Sequence, residues 1–170
     1  MKKSYFFIGL LLIFGFMFIG KTQKETMVQS SAYNKMLQVL LTHDVPEVGV
    51  ADILASEEII MLDAREKDEY EVSHIKNALW IGYDDFKQDR LLEVSKNQNI
   101  IVYCSIGYRS EKITQKLINM GYTNTSNLYG GLFEWVNQDR PVVDQNGTTN
   151  KIHGFNRLWS VWLKKGEKVY

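Results

Sequence analysis

A single cysteine, Cys104, stands where an apolar β-branched run gives way to a helical pattern. The run over residues 100–103 is typical of a buried strand, and residues 111–120 carry apolar side chains at helical spacing. A thiol between a strand end and a helix start faces unpaired backbone N–H groups and the positive end of the helix dipole. Both favour the thiolate, the nucleophilic form of cysteine. The sequence therefore predicts a nucleophile at the carboxyl end of a strand.

The residues that follow Cys104 are suited to hold an anion. Gly107 lets the short loop curl so that successive N–H groups point inward. Arg109 adds a fixed cation with a planar fork of hydrogen-bond donors, and we expect it to hold an anionic substrate rather than to pair with a carboxylate. Ile106 and Tyr108 are expected to line the rim of the pocket and help select that substrate. The predicted site comprises Cys104, Ser105, Ile106, Gly107, Tyr108, Arg109 and Ser110.

This loop and three further segments resemble, in order, the motifs of the rhodanese family of sulfurtransferases. The three segments are Asp63-Ala64-Arg65-Glu66 with Glu69-Tyr70, then Ser73-His74-Ile75-Lys76-Asn77-Ala78, then Gly121-Tyr122 with Leu128-Tyr129-Gly130-Gly131 and Trp135. Ser73 and Asn77 stand where the family usually has glycine. The resemblance covers residues 48–143 and implies a rhodanese-like three-layer α/β fold. Its central sheet would be five-stranded and mostly parallel, with helices on both faces.

The order of strand and helix patterns leads independently to a parallel α/β sheet. Strand patterns occupy residues 58–62, 78–81, 100–103 and 127–129, and helical patterns occupy residues 32–42, 84–92, 111–120 and 132–137. Ligands of such sheets bind outside the carboxyl ends of the strands. Cys104 lies at one of these ends.

The length of the loop indicates the reaction class. Six residues run from Cys104 to Arg109, which is the rhodanese length, whereas related phosphatases and arsenate reductases carry seven. The resemblance implies that sulfane sulfur moves from a donor such as thiosulfate to cyanide or a thiol through a Cys104 persulfide, without a cofactor. An alternative is a persulfide carrier or redox-partner module of the cell envelope, with a protein acceptor and little turnover of small donors. The phosphatase alternative is disfavoured by the shorter loop.

The resemblance assigns supporting roles to four further side chains. Asp63 would lie at a strand end near the pocket, and Arg65 would form an internal ion pair with Glu69. The roles of Asp63 and Arg65 are expected to be mainly structural. His74 is expected to be structural rather than a general base, because the helix end and Arg109 can activate the thiol unaided.

Composition argues against nucleic-acid binding, an internal disulfide and a metal site. Twenty basic and twenty acidic side chains give a formal net charge of zero, without a long basic patch, so we expect no nucleic-acid partner. One cysteine excludes an internal disulfide or a Cys-rich metal site. The three histidines (His43, His74 and His153) lack ligand spacing, so we predict no metal.

The two ends of the chain differ from the middle. Residues 1–20 have a basic start and an apolar run, which predicts a signal peptide or a membrane anchor and therefore an exported protein of the cell envelope or periplasm. Residues 21–31 are expected to be a linker, and residues 32–47 to contain a helix packed on the 48–143 domain. The aromatic extension 144–170 is expected to form a helix that folds back on the core; a partner surface or a lid over the site are the alternatives.

Overall fold

A computed structural model of the chain describes residues 27–53 and 58–170. The predicted signal peptide or anchor, residues 1–20, lies outside these ranges. Residues 21–26 of the predicted linker also lie outside them. Within the described ranges, none of the helices is long and apolar enough to cross a bilayer.

A five-stranded sheet forms the centre of the molecule, and all its strand pairs are parallel. Its strands are β1 (Glu47–Val48), β2 (Ile59–Asp63), β3 (Leu79–Trp80), β4 (Asn99–Tyr103) and β5 (Thr125–Leu128). Their order across the sheet is β1-β5-β4-β2-β3. The predicted α/β class and five-stranded sheet are confirmed.

Strand β4 is buried on both faces, as its uninterrupted apolar sequence requires. Ile101 and Tyr103 pack into one hydrophobic cluster, whereas Ile100 and Val102 pack into another. Successive side chains of a strand point to opposite faces, so the two clusters lie on opposite sides of the sheet. Helices α1 (Ser31–Leu40) and α4 (Gly131–Asn137) contribute to the first cluster, and α3 (Tyr108–Asn119) contributes to the second. The remaining helix, α2, spans Lys67–Val72.

The helix predicted over residues 84–92 is wrong, because only a short 3-10 turn forms at Gln88–Leu91. Arg90 explains the difference. Its guanidinium donates to the carbonyls of Ile81 and Asp85 at 2.9 and 2.6 Å, and lies over the Trp80 ring at 3.9 Å. These contacts hold the segment as a loop against the end of β3.

The helix predicted in the extension 144–170 is also wrong. Strands β6 (Val142–Asp144) and β7 (Gly147–Thr149) form a hairpin, and β8 (Lys151–His153) pairs in parallel with β9 (Glu167–Val169). Between β8 and β9 a single 3-10 turn forms at Trp159–Trp162. Asn137 of α4 ends this turn, because its side chain accepts from the Lys164 N–H at 2.7 Å and donates to the Trp162 carbonyl at 2.9 Å. The extension does fold back on the core, as its aromatic content indicates.

Candidate active site

Cys104 follows β4 directly and is 1% exposed. The backbone N–H of Gly107 donates to its Sγ at 3.2 Å. Gly107 adopts φ +110° and caps the start of α3, a left-handed conformation that favours glycine. The curled loop expected from the sequence is therefore present, with its donor directed at the sulfur.

Helix α4 fixes the other side of the loop. The N–H groups of Leu132 and Phe133 donate to the carbonyls of Cys104 and Ser105 at 2.8 and 3.0 Å. In a trans peptide the N–H points opposite to the C=O, so the N–H groups of Ser105 and Ile106 are turned away from α4. The start of α4 thus orients the peptide groups that an anion on Cys104 would meet.

Arg109 pairs with Glu69 through both of its terminal nitrogens. Nη1 lies 2.6 Å from Glu69 Oε2, and Nη2 lies 2.8 Å from Oε1. Ser105 joins this pair, because its hydroxyl donates to Glu69 Oε1 at 2.9 Å and accepts from Arg109 Nη2 at 3.1 Å. The sequence favours binding of an anionic sulfur donor by Arg109 over pairing with a carboxylate, whereas the structure shows the carboxylate pairing. A role of Arg109 in donor binding stays a prediction.

The electrostatics of Glu69 follow from this contact. Burial acts to raise the pKa of the Glu69 carboxyl, but the hydrogen bonds and charge of Arg109 outweigh it, and the pKa is lowered from its ordinary value. Glu69 is therefore an anion under ordinary conditions and neutralises the cation next to the nucleophile.

The predicted Arg65–Glu69 ion pair is wrong. Arg65 pairs with Asp63, with Nη2 2.6 Å from Oδ2, and both side chains are fully buried. Arg65 Nη2 also donates to the Ser73 carbonyl at 2.6 Å. Glu69 instead forms an ion pair with Arg109 of α3. Asp63 and Arg65 therefore connect the end of β2 to the segment after α2 and are absent from the cavity wall described below.

Ser110 stabilises the loop through a buried hydrogen bond to Asn127. Its hydroxyl donates to Asn127 Oδ1 at 2.7 Å, and Asn127 Nδ2 donates to the Gly107 carbonyl at 3.1 Å. Both side chains are fully buried. Ser110 thus holds Gly107 through Asn127 and is absent from the cavity wall described below, and its contact with a substrate stays a prediction.

His74 acts in the structure of the domain. Its Nδ1 lies 3.0 Å from the Tyr70 carbonyl, and its ring stacks on Tyr70 with centroids 3.9 Å apart. Its backbone N–H donates to the Val143 carbonyl at 2.9 Å. These contacts agree with the structural role expected from the sequence.

A cavity of about 370 Å³ opens above Cys104. From the loop, Cys104, Ser105, Ile106, Tyr108 and Arg109 line it. The other walls are Leu40 from α1 and Phe155 and Trp159 from the C-terminal extension. Phe155 and Trp159 belong to the extension, for which a lid over the site was one of the alternatives read from the sequence. Nothing in the sequence indicated that Leu40 would line the site.

Comparisons with known proteins agree with this arrangement. A sequence model of the rhodanese-like domain matches residues 49–138, more than half of the chain. The tRNA uridine(34) hydroxylase of Wigglesworthia glossinidia brevipalpis is 37% identical over 90 residues, covering 50% of this chain and 29% of that protein. The homologous hydroxylase of Erwinia tasmaniensis is 34% identical over 122 residues, covering 69% of this chain and 33% of that protein. The chain thus spans about a third or less of the length of these relatives.

Solved structures share the fold. The BH2092 protein from Bacillus halodurans superposes with a TM-score of 0.54 at 26% identity, over 68% of this chain and 86% of that one. Thiosulfate sulfurtransferase from Pseudomonas aeruginosa has a TM-score of 0.51 at 24% identity, over 59% of this chain and 20% of that one. The second likeness concerns the fold alone.

Proposed function

Because this chain belongs to the rhodanese-like domain family, we propose that it is a sulfurtransferase that carries sulfur as a persulfide on Cys104. The Cys104 thiolate attacks the outer sulfur of a donor such as thiosulfate. The sulfur–sulfur bond of the donor breaks, and sulfite leaves with the electron pair. An acceptor thiol or cyanide then attacks the outer sulfur of the persulfide and returns Cys104 to the thiolate.

The observation that carries this proposal is the Gly107 N–H, 3.2 Å from the Cys104 sulfur at the floor of an open cavity. A fixed donor at that distance stabilises negative charge on sulfur in a partly dry site. The loop carbonyls of Cys104 and Ser105 are bound by α4, which keeps these acceptors away from the anion.

Mass spectrometry of the intact protein tests the proposal. After incubation of the 170-residue chain with thiosulfate, we expect a gain of one sulfur atom that cyanide removes as thiocyanate. The Cys104→Ser variant should gain none, and since Cys104 is the only cysteine, no other thiol can carry the sulfur. Equal turnover by wild type and Cys104→Ser would overturn the mechanism.

A second candidate is a persulfide carrier that exchanges sulfur with a protein. It is favoured by exposed apolar side chains of the extension near the cavity, where Phe155 is 45%, Leu158 72% and Val161 48% exposed. A carrier would accept sulfur from a persulfidated protein far faster than from thiosulfate. The same mass measurement with a persulfidated thioredoxin-like protein as donor separates the two.

A further inference from the structure

Three apolar side chains of the cavity wall come from outside the segment that matches the family. Residues 49–138 supply Cys104 and its loop, whereas Leu40 precedes this segment and Phe155 and Trp159 follow it. The cavity of about 370 Å³ lies within the range of roughly 300–1,000 Å³ usual for small-molecule sites. Such a volume is much larger than thiosulfate alone needs.

The nearest cation is not free to bind a second anion. Both Glu69 carboxylate oxygens occupy the Arg109 fork, at 2.6 and 2.8 Å. The Phe155 ring covers the guanidinium, with its centroid 5.0 Å from Cζ. The Arg109 side chain is consequently only 13% exposed. A doubly charged donor would enter without a free counter-charge from Arg109.

The aromatic wall is held in place by several contacts of the extension. Phe155 adopts φ +61°, a left-handed conformation that is strained for a bulky residue. Gly154 directly follows β8, and its N–H donates to the carbonyl of Val169 in β9 at 2.9 Å. Trp162 stacks on Tyr33 of α1 with centroids 5.2 Å apart. Strained residues persist only where the surroundings fix them, and they concentrate at functional sites.

We propose that this cavity selects sulfur donors in which the sulfur next to the transferred sulfane sulfur carries an apolar organic group, and that Phe155 and Trp159 bind that group. The proposal rests on the sulfurtransferase activity proposed above and specifies its donor class. For an organic persulfide, the Cys104 thiolate attacks the terminal sulfur of R–S–SH. The sulfur–sulfur bond breaks, Cys104–S–SH forms, and R–S⁻ leaves with the electron pair.

Three probe donors separate the effects of charge and apolar bulk. Methanethiosulfonate and benzenethiosulfonate are both singly charged and differ only in the organic group, while thiosulfate is doubly charged and has none. In each case the thiolate takes the outer sulfur, and methanesulfinate, benzenesulfinate or sulfite leaves. We expect kcat/KM for benzenethiosulfonate to exceed that for methanethiosulfonate by about tenfold or more, as an added apolar group in a matching pocket gives.

Substitutions in the extension test whether Phe155 and Trp159 cause the preference for benzenethiosulfonate over methanethiosulfonate. In Phe155→Ala and in Trp159→Leu the ratio of the two kcat/KM values should fall several-fold toward one, whereas Phe155→Leu should keep part of it. Val161→Ala is the matched control, because Val161 is 48% exposed on the same segment and does not line the cavity. A thermal unfolding midpoint for each variant excludes general unfolding as the cause.

The outcomes distinguish this inference from the proposed function. If none of the three donors adds sulfur to Cys104, the sulfurtransferase proposal itself fails. If all load Cys104 with a ratio near one, the activity stands and the selectivity is overturned. A high ratio that survives both Phe155→Ala and Trp159→Leu would show that the preference arises elsewhere.

Discussion

Arg109 and Glu69 form a two-point ion pair, at 2.6 and 2.8 Å, between residues 40 positions apart in the chain. The pair joins the start of α3 to α2 beside the nucleophile, and it takes in the Ser105 hydroxyl of the loop. Glu69 is almost fully buried, with a side chain 2% exposed. The Arg109 cation, which the sequence predicts to bind an anionic substrate, is thus neutralised by Glu69 within the protein.

Removing one member of this pair should be costly. In Arg109→Ala the Glu69 carboxylate is left buried without a counter-charge, so we expect the free energy of unfolding to fall by about 3–5 kcal/mol. Urea unfolding measures this loss. The double variant Arg109→Ala/Glu69→Ala should recover part of it, and a strictly additive double variant would contradict the coupling.

The Lys165–Asp139 pair supplies the control for burial. Its nitrogen and oxygen also lie 2.6 Å apart, but the two side chains are 47% and 77% exposed. Lys165→Ala should therefore cost about 1 kcal/mol or less, as exposed pairs do. Equal losses for Lys165→Ala and Arg109→Ala would mean that burial does not set the energy of the Arg109 pair.

The lowered pKa of Glu69 predicts a pH dependence of stability. A carboxyl whose pKa is lower in the folded state stabilises the fold above its unfolded pKa, near the ordinary 4.5, and loses this contribution as the pH falls through the folded pKa. The difference in unfolding free energy between wild type and Glu69→Gln should be constant above about pH 5.5 and shrink below pH 4.5. Urea titrations across this range test it, and a difference that grows on acidification would refute the assignment.

The local sequence was sufficient to predict the centre of the fold and the nucleophile loop. The apolar run before Cys104 and the helical spacing after it are signals within a few residues of each other, and both are realised in β4 and α3. The resemblance also placed Gly130 and Gly131, which start α4 against the loop.

Long-range pairing was the part that the sequence did not reveal. Arg65 and Arg109 each had acidic residues within reach, and only the packing of α2 against the loop decides that Glu69 binds Arg109. In the extension, the aromatic spacing of Phe155 and Trp159 is compatible with a helix. The pairing of β8 with β9 and the contacts of Asn137 override that local preference.

Gly131 is expected to be indispensable for the loop. A Cβ at this position, where φ is +56°, would lie 2.4 Å from the Cys104 carbonyl oxygen and 2.7 Å from the Ile106 nitrogen. Gly131→Ala must therefore push α4 away from the loop. We expect the free energy of unfolding to fall by about 4 kcal/mol or more, as severe overpacking does. We also expect sulfur loading of Cys104 to become slow. Loading rates by intact mass and urea unfolding measure the two effects.

Gly147→Ala is the control for backbone strain alone. Gly147 has φ +122°, but a Cβ there would meet no atom within 4 Å. We expect a stability loss of only about 1–2 kcal/mol from the conformation and no change in the loading rate. If Gly131→Ala behaved like Gly147→Ala, close packing of α4 on the loop would not be required for the reaction.

Ser110 should act on the nucleophile through Asn127. In Ser110→Ala the Asn127 oxygen loses its 2.7 Å donor in a fully buried position, which should cost about 1–3 kcal/mol. Since Asn127 also donates to the Gly107 carbonyl at 3.1 Å, the loop should loosen and loading of Cys104 should slow. Thr114→Val is the matched control one turn further along α3, because the Thr114 hydroxyl is buried without a hydrogen-bond partner among the described residues. Removing that hydroxyl should leave both stability and loading rate near wild type, and an equal slowing in the two variants would refute the relay from Ser110 to Gly107.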